Sequence, residues 1–186
     1  MKKLSIIIPV YNEEATIGLI LNKIKSVNLL QQLQKEIILI NDGSFDQSEI
    51  VIKNYLKQEP ELNIQYYKNS LNQGKGASVK LGIQKATGDL LIIQDADLEC
   101  DPSEYNILLK PILDGIADVV YGSRFKNVKT KHLNNFWNSN GNKILTFISN
   151  RFTKFKVTDM ETCYKLFKIE LIKNINLCEN RFGFEP

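Results

Sequence analysis

The sequence predicts an α/β fold built on a mostly parallel, Rossmann-like sheet with helices on both faces. Two observations predict it. Five apolar runs of strand length alternate with segments of helical period, and alternation of that kind calls for parallel strands joined by crossover helices. The sharpest polar motifs directly follow the first, second and fourth runs, which is where open α/β sheets collect their ligands. A chain of 186 residues, 43% hydrophobic and 24% charged, fits one domain with a substantial core, since ~70% of the unfolded surface goes inside at this size.

The first strand is expected at Leu4–Val10, ending in Pro9-Val10-Tyr11-Asn12-Glu13. A helix follows over Glu13–Val27, where Ile17, Ile20, Leu21 and Ile24 recur on one face. Glu36–Asn41 reads as the second strand and runs into Asn41-Asp42-Gly43-Ser44. There Gly43 suits a turn, and Ser44 or Asp46 could cap a helix over Gln47–Gln58. Asn63–Lys68 is the third strand and Lys75–Ala86 the third helix. The fourth strand, Leu90–Gln94, leads into Asp95-Ala96-Asp97-Leu98-Glu99, with Asp101-Pro102 starting a helix behind it. Asp118–Ser123 is the fifth strand.

Beyond it the charge is uneven. Residues 124–156 carry eight Lys/Arg and no Asp or Glu, so the formal +3 hides a balance of −4 over 1–123 and −1 over 157–186. Aromatic residues are interleaved there. A helix with Trp137, Ile144, Leu145, Ile148 and Phe152 facing the core accounts for them, while the missing acids point to a surface that meets a phosphate or an anionic membrane.

Several classes are excluded. No apolar stretch approaches the ~18 residues of a membrane helix, and Pro9 interrupts the start before a signal-peptide core could form. The expectation is a cytoplasmic chain peripheral to the membrane. Cys100, Cys163 and Cys178 lack CxxC spacing and read as plain thiols. One histidine, His132, rules out a poly-His zinc centre, so any metal should be a hard ion bound by oxygen. Asn72-Gln73-Gly74-Lys75-Gly76 lacks the GxxxxGK[ST] pattern of a phosphate loop, and no GxGxxG turn follows the first strand.

Asp95 and Asp97 are two carboxylates at the point where a buried strand stops. They can converge on one divalent cation, Mg²⁺ or Mn²⁺, with Glu99 as a third oxygen ligand and a diphosphate bridged by the ion. Asp42, at another strand tip, could accept from the N–H of a nucleobase.

Taken in order, Pro9–Glu13, Asn41–Ser44, Gly74–Gly76, Ala86–Asp89, Asp95–Glu99, Tyr121–Arg124 and Thr158–Thr162 resemble the family-2 glycosyltransferases, most of all the dolichol-phosphate mannose synthase group. The resemblance implies a GT-A type fold. It also implies that Pro9, Val10, Tyr11 and Glu13 hold the nucleotide, that Ile40 and Asp42 meet the base, and that Asp95, Ala96 and Asp97 carry diphosphate and metal. Arg124 would face the phosphates, and Asp97 and Arg124 would be the catalytic pair. The donor would be GDP-mannose or UDP-glucose and the acceptor a polyprenyl phosphate. Glu99 stands where the group often has Gln, and Asn41 departs from a more frequent Asp-Asp pair. Such relatives continue beyond the position of Pro186 into membrane-associated segments that supply further basic residues, so a truncated catalytic domain is expected.

A polyprenyl phosphate acceptor is already anionic and requires no protein base. A sugar hydroxyl acceptor would require one, and Asp159 or Glu161 is the candidate. A noncatalytic module that binds anions or nucleic acid through the basic segment is a third reading, disfavoured because no nucleic-acid motif accompanies it.

Overall fold

The computed structural model describes residues 2–123, 145–152, 157–160, 162 and 164–181. Strands β1 (Lys3–Val10), β2 (Gln34–Asn41), β3 (Ile64–Lys68), β4 (Leu90–Ile93), β5 (Val119–Tyr121) and β6 (Lys165–Lys168) form one sheet in the order β3-β2-β1-β4-β6-β5. β3, β2, β1 and β4 are mutually parallel, whereas β6 runs antiparallel to β4 and to β5. Helices α1 (Ile17–Ser26), α2 (Ser48–Gln58), α3 (Lys75–Lys85), α4 (Tyr105–Leu113), α5 (145–152) and α6 (Ile169–Lys173), with short 3-10 turns at Leu30–Gln32 and Pro102–Glu104, complete the described elements.

The parallel arrangement follows from strands apolar on both faces. Along β1, Leu4, Ile6, Ile8 and Val10 pack into one core with Ile17, Ile20, Leu21 and Ile24 of α1, Ile52 of α2 and Leu109 of α4. Ile7 points the other way, to Val79 and Ile83 of α3, Leu91 and Ile93 of β4, and Ile172 of α6. Successive side chains thus supply opposite layers, as the pleat requires. α3 lies directly on β1: a Cβ at Gly82 would come within 2.4 Å of the Ile7 side chain, so only glycine permits that approach.

All five expected strands and three expected helices are present, with ends moved by a few residues. β6 and α6 were not foreseen. β6 is four residues long, and its Lys-Leu-Phe-Lys sequence is too short for a period to show. The Asp101-Pro102 start is real: the Asp101 carboxylate accepts from the Ser103 N–H at 3.0 Å, and a single tight turn runs into α4. The Ser103 N–H, aided by the Lys23 ammonium, holds the Asp101 carboxyl below its usual range despite partial burial. α4 carries Pro111 in its last turn.

Two readings are corrected. The apolar residues of α5 do not face the core: Leu145, Phe147, Ile148 and Phe152 are exposed, Phe152 at 82%, while Thr146 is buried. Trp137 and Ile144 fall outside the described residues. Cys100, taken for a plain thiol, is disulfide-bonded, and Cys178 is free.

Candidate functional site

The ends of β1, β2 and β4 bring three loops to one edge of the sheet. Register places Pro9 beside Ile40 and Val10 beside Asn41, so the first two loops leave the sheet together. They are then stitched across: the Asn12 N–H donates to Ser44 Oγ at 3.0 Å, the Glu13 N–H to Ser48 Oγ at 2.7 Å, and the Phe45 N–H to Asn12 Oδ1 at 3.0 Å. Asp46 accepts from both the Ser48 and Glu14 N–H groups, so it serves the start of α2 while Ser44 serves the neighbouring loop. Tyr11 is exposed and meets Phe45 edge to face, with ring centroids 6.1 Å apart, which presents an aromatic surface at the mouth of the site. Val10, Ile40 and Ala96 are buried, and the Val10 carbonyl accepts from the Asp42 N–H at 2.8 Å, so these residues support the loops from beneath.

Asp42 is more committed than its place at a strand tip suggested. Its carboxylate accepts from Asn69 Nδ2 at 2.7 Å, the Gln73 N–H at 3.0 Å and the Gly74 N–H at 2.7 Å, and the residue is 3% exposed. A carboxylate has about four acceptor positions, so three are spent on the protein. Those bonds fix the turn before α3, where Gly74 has φ +100°, a left-handed conformation that favours glycine. The turn in turn aims Lys75, whose ammonium sits 2.8 Å from Asp95 Oδ1 and 3.0 Å from Oδ2. Asp42, the 72–74 turn, Lys75 and Asp95 are thus one connected chain, and the Lys75 link was not foreseen.

The 95–100 loop is held from beneath by the buried Gln94, which donates to the carbonyls of both Asp95 and Cys100. Leu98 lies at φ +68°, uncommon for a bulky residue and of the kind that concentrates at functional loops. Asp97 and Glu99 are exposed, and the Glu99 N–H donates to Asp97 Oδ1 at 3.0 Å.

The expected trio Asp95, Asp97 and Glu99 is not gathered: among the described residues no group of three His, Cys, Asp or Glu side chains could hold a metal ion. Lys75 engages Asp95, and the turn at Leu98 carries Glu99 along the loop. This arrangement suits a hard cation that brings its other ligands with it. Mg²⁺ is commonly bound by one or two carboxylates together with substrate phosphate and water, without an all-protein cage.

Arg124 and Glu161 lie outside the described residues. Asp159, the other candidate base, is fully buried. No described helix is long and apolar enough to cross a membrane.

Comparison with known proteins places this geometry. The sequence profile described as glycosyl transferase family 2 matches residues 5–175. An undecaprenyl-phosphate 4-deoxy-4-formamido-L-arabinose transferase of Photorhabdus laumondii is 29% identical over 187 residues, covering 100% of this chain and 55% of that protein. A dolichyl-phosphate beta-glucosyltransferase of Trichomonas vaginalis is 32% identical over 139 residues, 69% of this chain and 42% of that protein. The chain therefore spans about half the length of the curated relatives it matches. Among solved structures, a mannosyltransferase of Pyrobaculum calidifontis in complex with GDP-Man and Mn²⁺ superposes with a TM-score of 0.72 at 19% identity, over 99% of this chain and 49% of that one. Glucosyl-3-phosphoglycerate synthase of Mycobacterium tuberculosis, in complex with Mn²⁺, UDP and phosphoglyceric acid, gives 0.69 at 19% identity, over 94% and 58%. That likeness establishes the fold as GT-A type.

Proposed function

Because the chain belongs to glycosyl transferase family 2, we propose that it moves a hexosyl group, mannose or glucose, from a nucleoside diphosphate sugar to a polyprenyl phosphate with inversion. The observation that carries this reading is the edge of the sheet where β1, β2 and β4 end. There a lysine-paired Asp95 and an exposed Asp97 stand on one rigid loop, near a turn fixed by Asp42. Relatives named for transfer to undecaprenyl and dolichyl phosphates support the acceptor class.

In this reading the Tyr11–Phe45 surface receives the nucleoside, and the last acceptor position of Asp42 meets the base. Asp97, with Asp95 beside it, would hold Mg²⁺ or Mn²⁺ together with the donor diphosphate. When bound, such an ion supplies positive charge against the negative charge that builds on the departing diphosphate. An oxygen of the acceptor phosphate attacks the anomeric carbon, and the bond from that carbon to the β-phosphate oxygen breaks with its electron pair leaving on the nucleoside diphosphate. The acceptor oxygen carries no proton to be removed, so the buried Asp159 is not required as a base. Arg124 is assigned to the donor phosphates by family resemblance. The exposed apolar residues of α5, set in the basic 124–156 segment, suit a helix lying at an anionic membrane surface, where apolar side chains enter the headgroup boundary and lysines meet phosphate.

Transfer of radiolabelled mannose or glucose from its GDP or UDP donor to a short-chain polyprenyl phosphate, with Mg²⁺ or Mn²⁺, tests the proposal. Label in the lipid phase that is lost with chelator supports it. Label that passes equally well to a free sugar and not to the lipid phosphate would favour a hydroxyl acceptor.

A further inference from the structure

Gln94 is fully buried at the end of β4, an unusual place for a flexible amide whose two ends must both be satisfied. Its surroundings satisfy both. Oε1 accepts from the hydroxyls of Tyr105 at 2.8 Å and Tyr164 at 3.1 Å, while Nε2 donates to the carbonyl of Asp95 at 2.8 Å and of Cys100 at 3.2 Å. These four bonds do two different jobs. The carbonyls are those of the first and last residues of the six-residue loop that carries Asp95, Asp97 and Glu99, so one amide nitrogen ties the loop's two ends together. The hydroxyls come from α4 and from the residue before β6, and they anchor the far end of the amide. The two loop carbonyls can only accept, which turns Nε2 toward them and leaves Oε1 to the hydroxyls.

The two tyrosines are themselves fixed. Tyr105 is 0% and Tyr164 3% exposed, with rings packed edge to face at 5.9 Å. Burial pushes both hydroxyls above their usual range, and well above it for Tyr105, so both stay protonated donors at any working pH. Tyr164 also follows the 157–162 segment, whose Thr162 carbonyl accepts from Lys165, and its own carbonyl accepts from the Gly122 N–H. The loop that carries the acidic motif is thereby tied to α4 and to the start of β6 by this side chain, beside the tether at Cys100.

We propose that Gln94 is a positioning residue, a clamp anchored by Tyr105 and Tyr164 that sets the spacing of the Asp95–Cys100 loop and hence the placement of its carboxylates. The inference rests on the reading of that loop as the cation and diphosphate site. Gln94 itself touches neither ion nor donor.

The test is hydrogen exchange across residues 95–100, measured by NMR on the whole chain, together with Mn²⁺ titration in the presence of GDP or of UDP. In Gln94→Met, which keeps the volume and loses both polar ends, exchange at the loop amides should rise about tenfold or more, while amides of β1 and β2 stay within about twofold. Mn²⁺ affinity with nucleotide should fall about tenfold at a temperature where the variant remains folded. Tyr105→Phe and Tyr164→Phe each remove one anchoring donor and should give the same pattern at about two- to fivefold. If Gln94→Met does not fold, these two variants decide the matter by the same measurement. Unchanged loop exchange in folded Gln94→Met, or in both tyrosine variants when Gln94→Met is lost, overturns the clamp. Faster loop exchange with no Mn²⁺ and nucleotide binding even in the unaltered chain leaves the clamp standing and overturns the donor-site reading.

Discussion

The two edges of the central sheet use carboxylates in opposite ways. At the edge where β1 and β2 begin, Glu36 is 1% exposed and saturated: Ser5 Oγ, Lys3 Nζ, Gln65 Nε2, and both the N–H and the hydroxyl of Thr87 donate to it. At the edge where the same strands end, Asp97 and Glu99 are exposed, Asp42 is engaged by Asn69 and the 73–74 turn, and Asp95 by Lys75. One edge consumes its charge in closing the fold, and the other keeps charge turned outward. Buried acids in a protein of this class are therefore not evenly informative: what separates structural from functional ones is which end of the strands they occupy and whether acceptor capacity is left over.

The comparison breaks most visibly at Asp97. Asp97→Ala should reduce transfer by roughly two to three orders of magnitude, the scale of losing a main electrostatic contributor, while thermal stability stays close to that of the parent because the side chain is exposed. Kinetics alongside thermal unfolding checks both halves.

Glu36→Gln should show the mirror image, a stability loss on the order of 2 kcal/mol with donor affinity retained at low temperature. Its pH dependence adds a signature. Burial alone would push the Glu36 carboxyl up, but the bonds from Ser5, Thr87 and Lys3 outweigh it and hold the group below its usual range. A carboxyl depressed in the folded state contributes stability that is present above its unfolded value and is lost as pH falls through its folded value. The gap between parent and Glu36→Gln in denaturant titrations should accordingly narrow under acid.

Asp42→Asn falls between the two. An amide turned to accept with its oxygen leaves an NH₂ facing one of the N–H groups of the 73–74 turn, so both effects are expected together: about 1 kcal/mol of stability and about tenfold in donor affinity. Calorimetric titration of the donor, set beside denaturant unfolding, would show whether the two losses go together.

The smallest effect concerns how far the outward-facing edge extends. Phe152→Ser should leave folding unchanged and weaken binding to vesicles containing anionic lipid by a few fold, read by flotation or co-sedimentation.

Much of this was legible in the sequence for reasons that are physical. The Val/Ile/Leu runs of β1, β2 and β4 are buried on both faces and so read as strands with little ambiguity, and the polar residues at their ends stand out by contrast. Gln94 was read only as the end of a strand. Nothing local distinguishes a glutamine that clamps two carbonyls from one that faces water, because its partners Tyr105 and Tyr164 lie 11 and 70 residues away. Lys75 was passed over for the same reason: a loop that fails the phosphate-binding pattern gives no hint that its lysine reaches Asp95, 20 residues on. The α5 face was misjudged because helical periodicity shows that an apolar stripe exists and not what lies against it.

The central claim is that the edge carrying Asp97 is the donor and cation site, and one measurement tests it most directly. GDP-mannose and UDP-glucose would each be titrated calorimetrically into the parent chain, Glu36→Gln and Asp97→Asn, with Mn²⁺ and again with chelator. The account predicts that one donor binds the parent and Glu36→Gln only when the cation is present, and that Asp97→Asn loses this binding while remaining folded. Donor binding that survives both chelator and Asp97→Asn would contradict it.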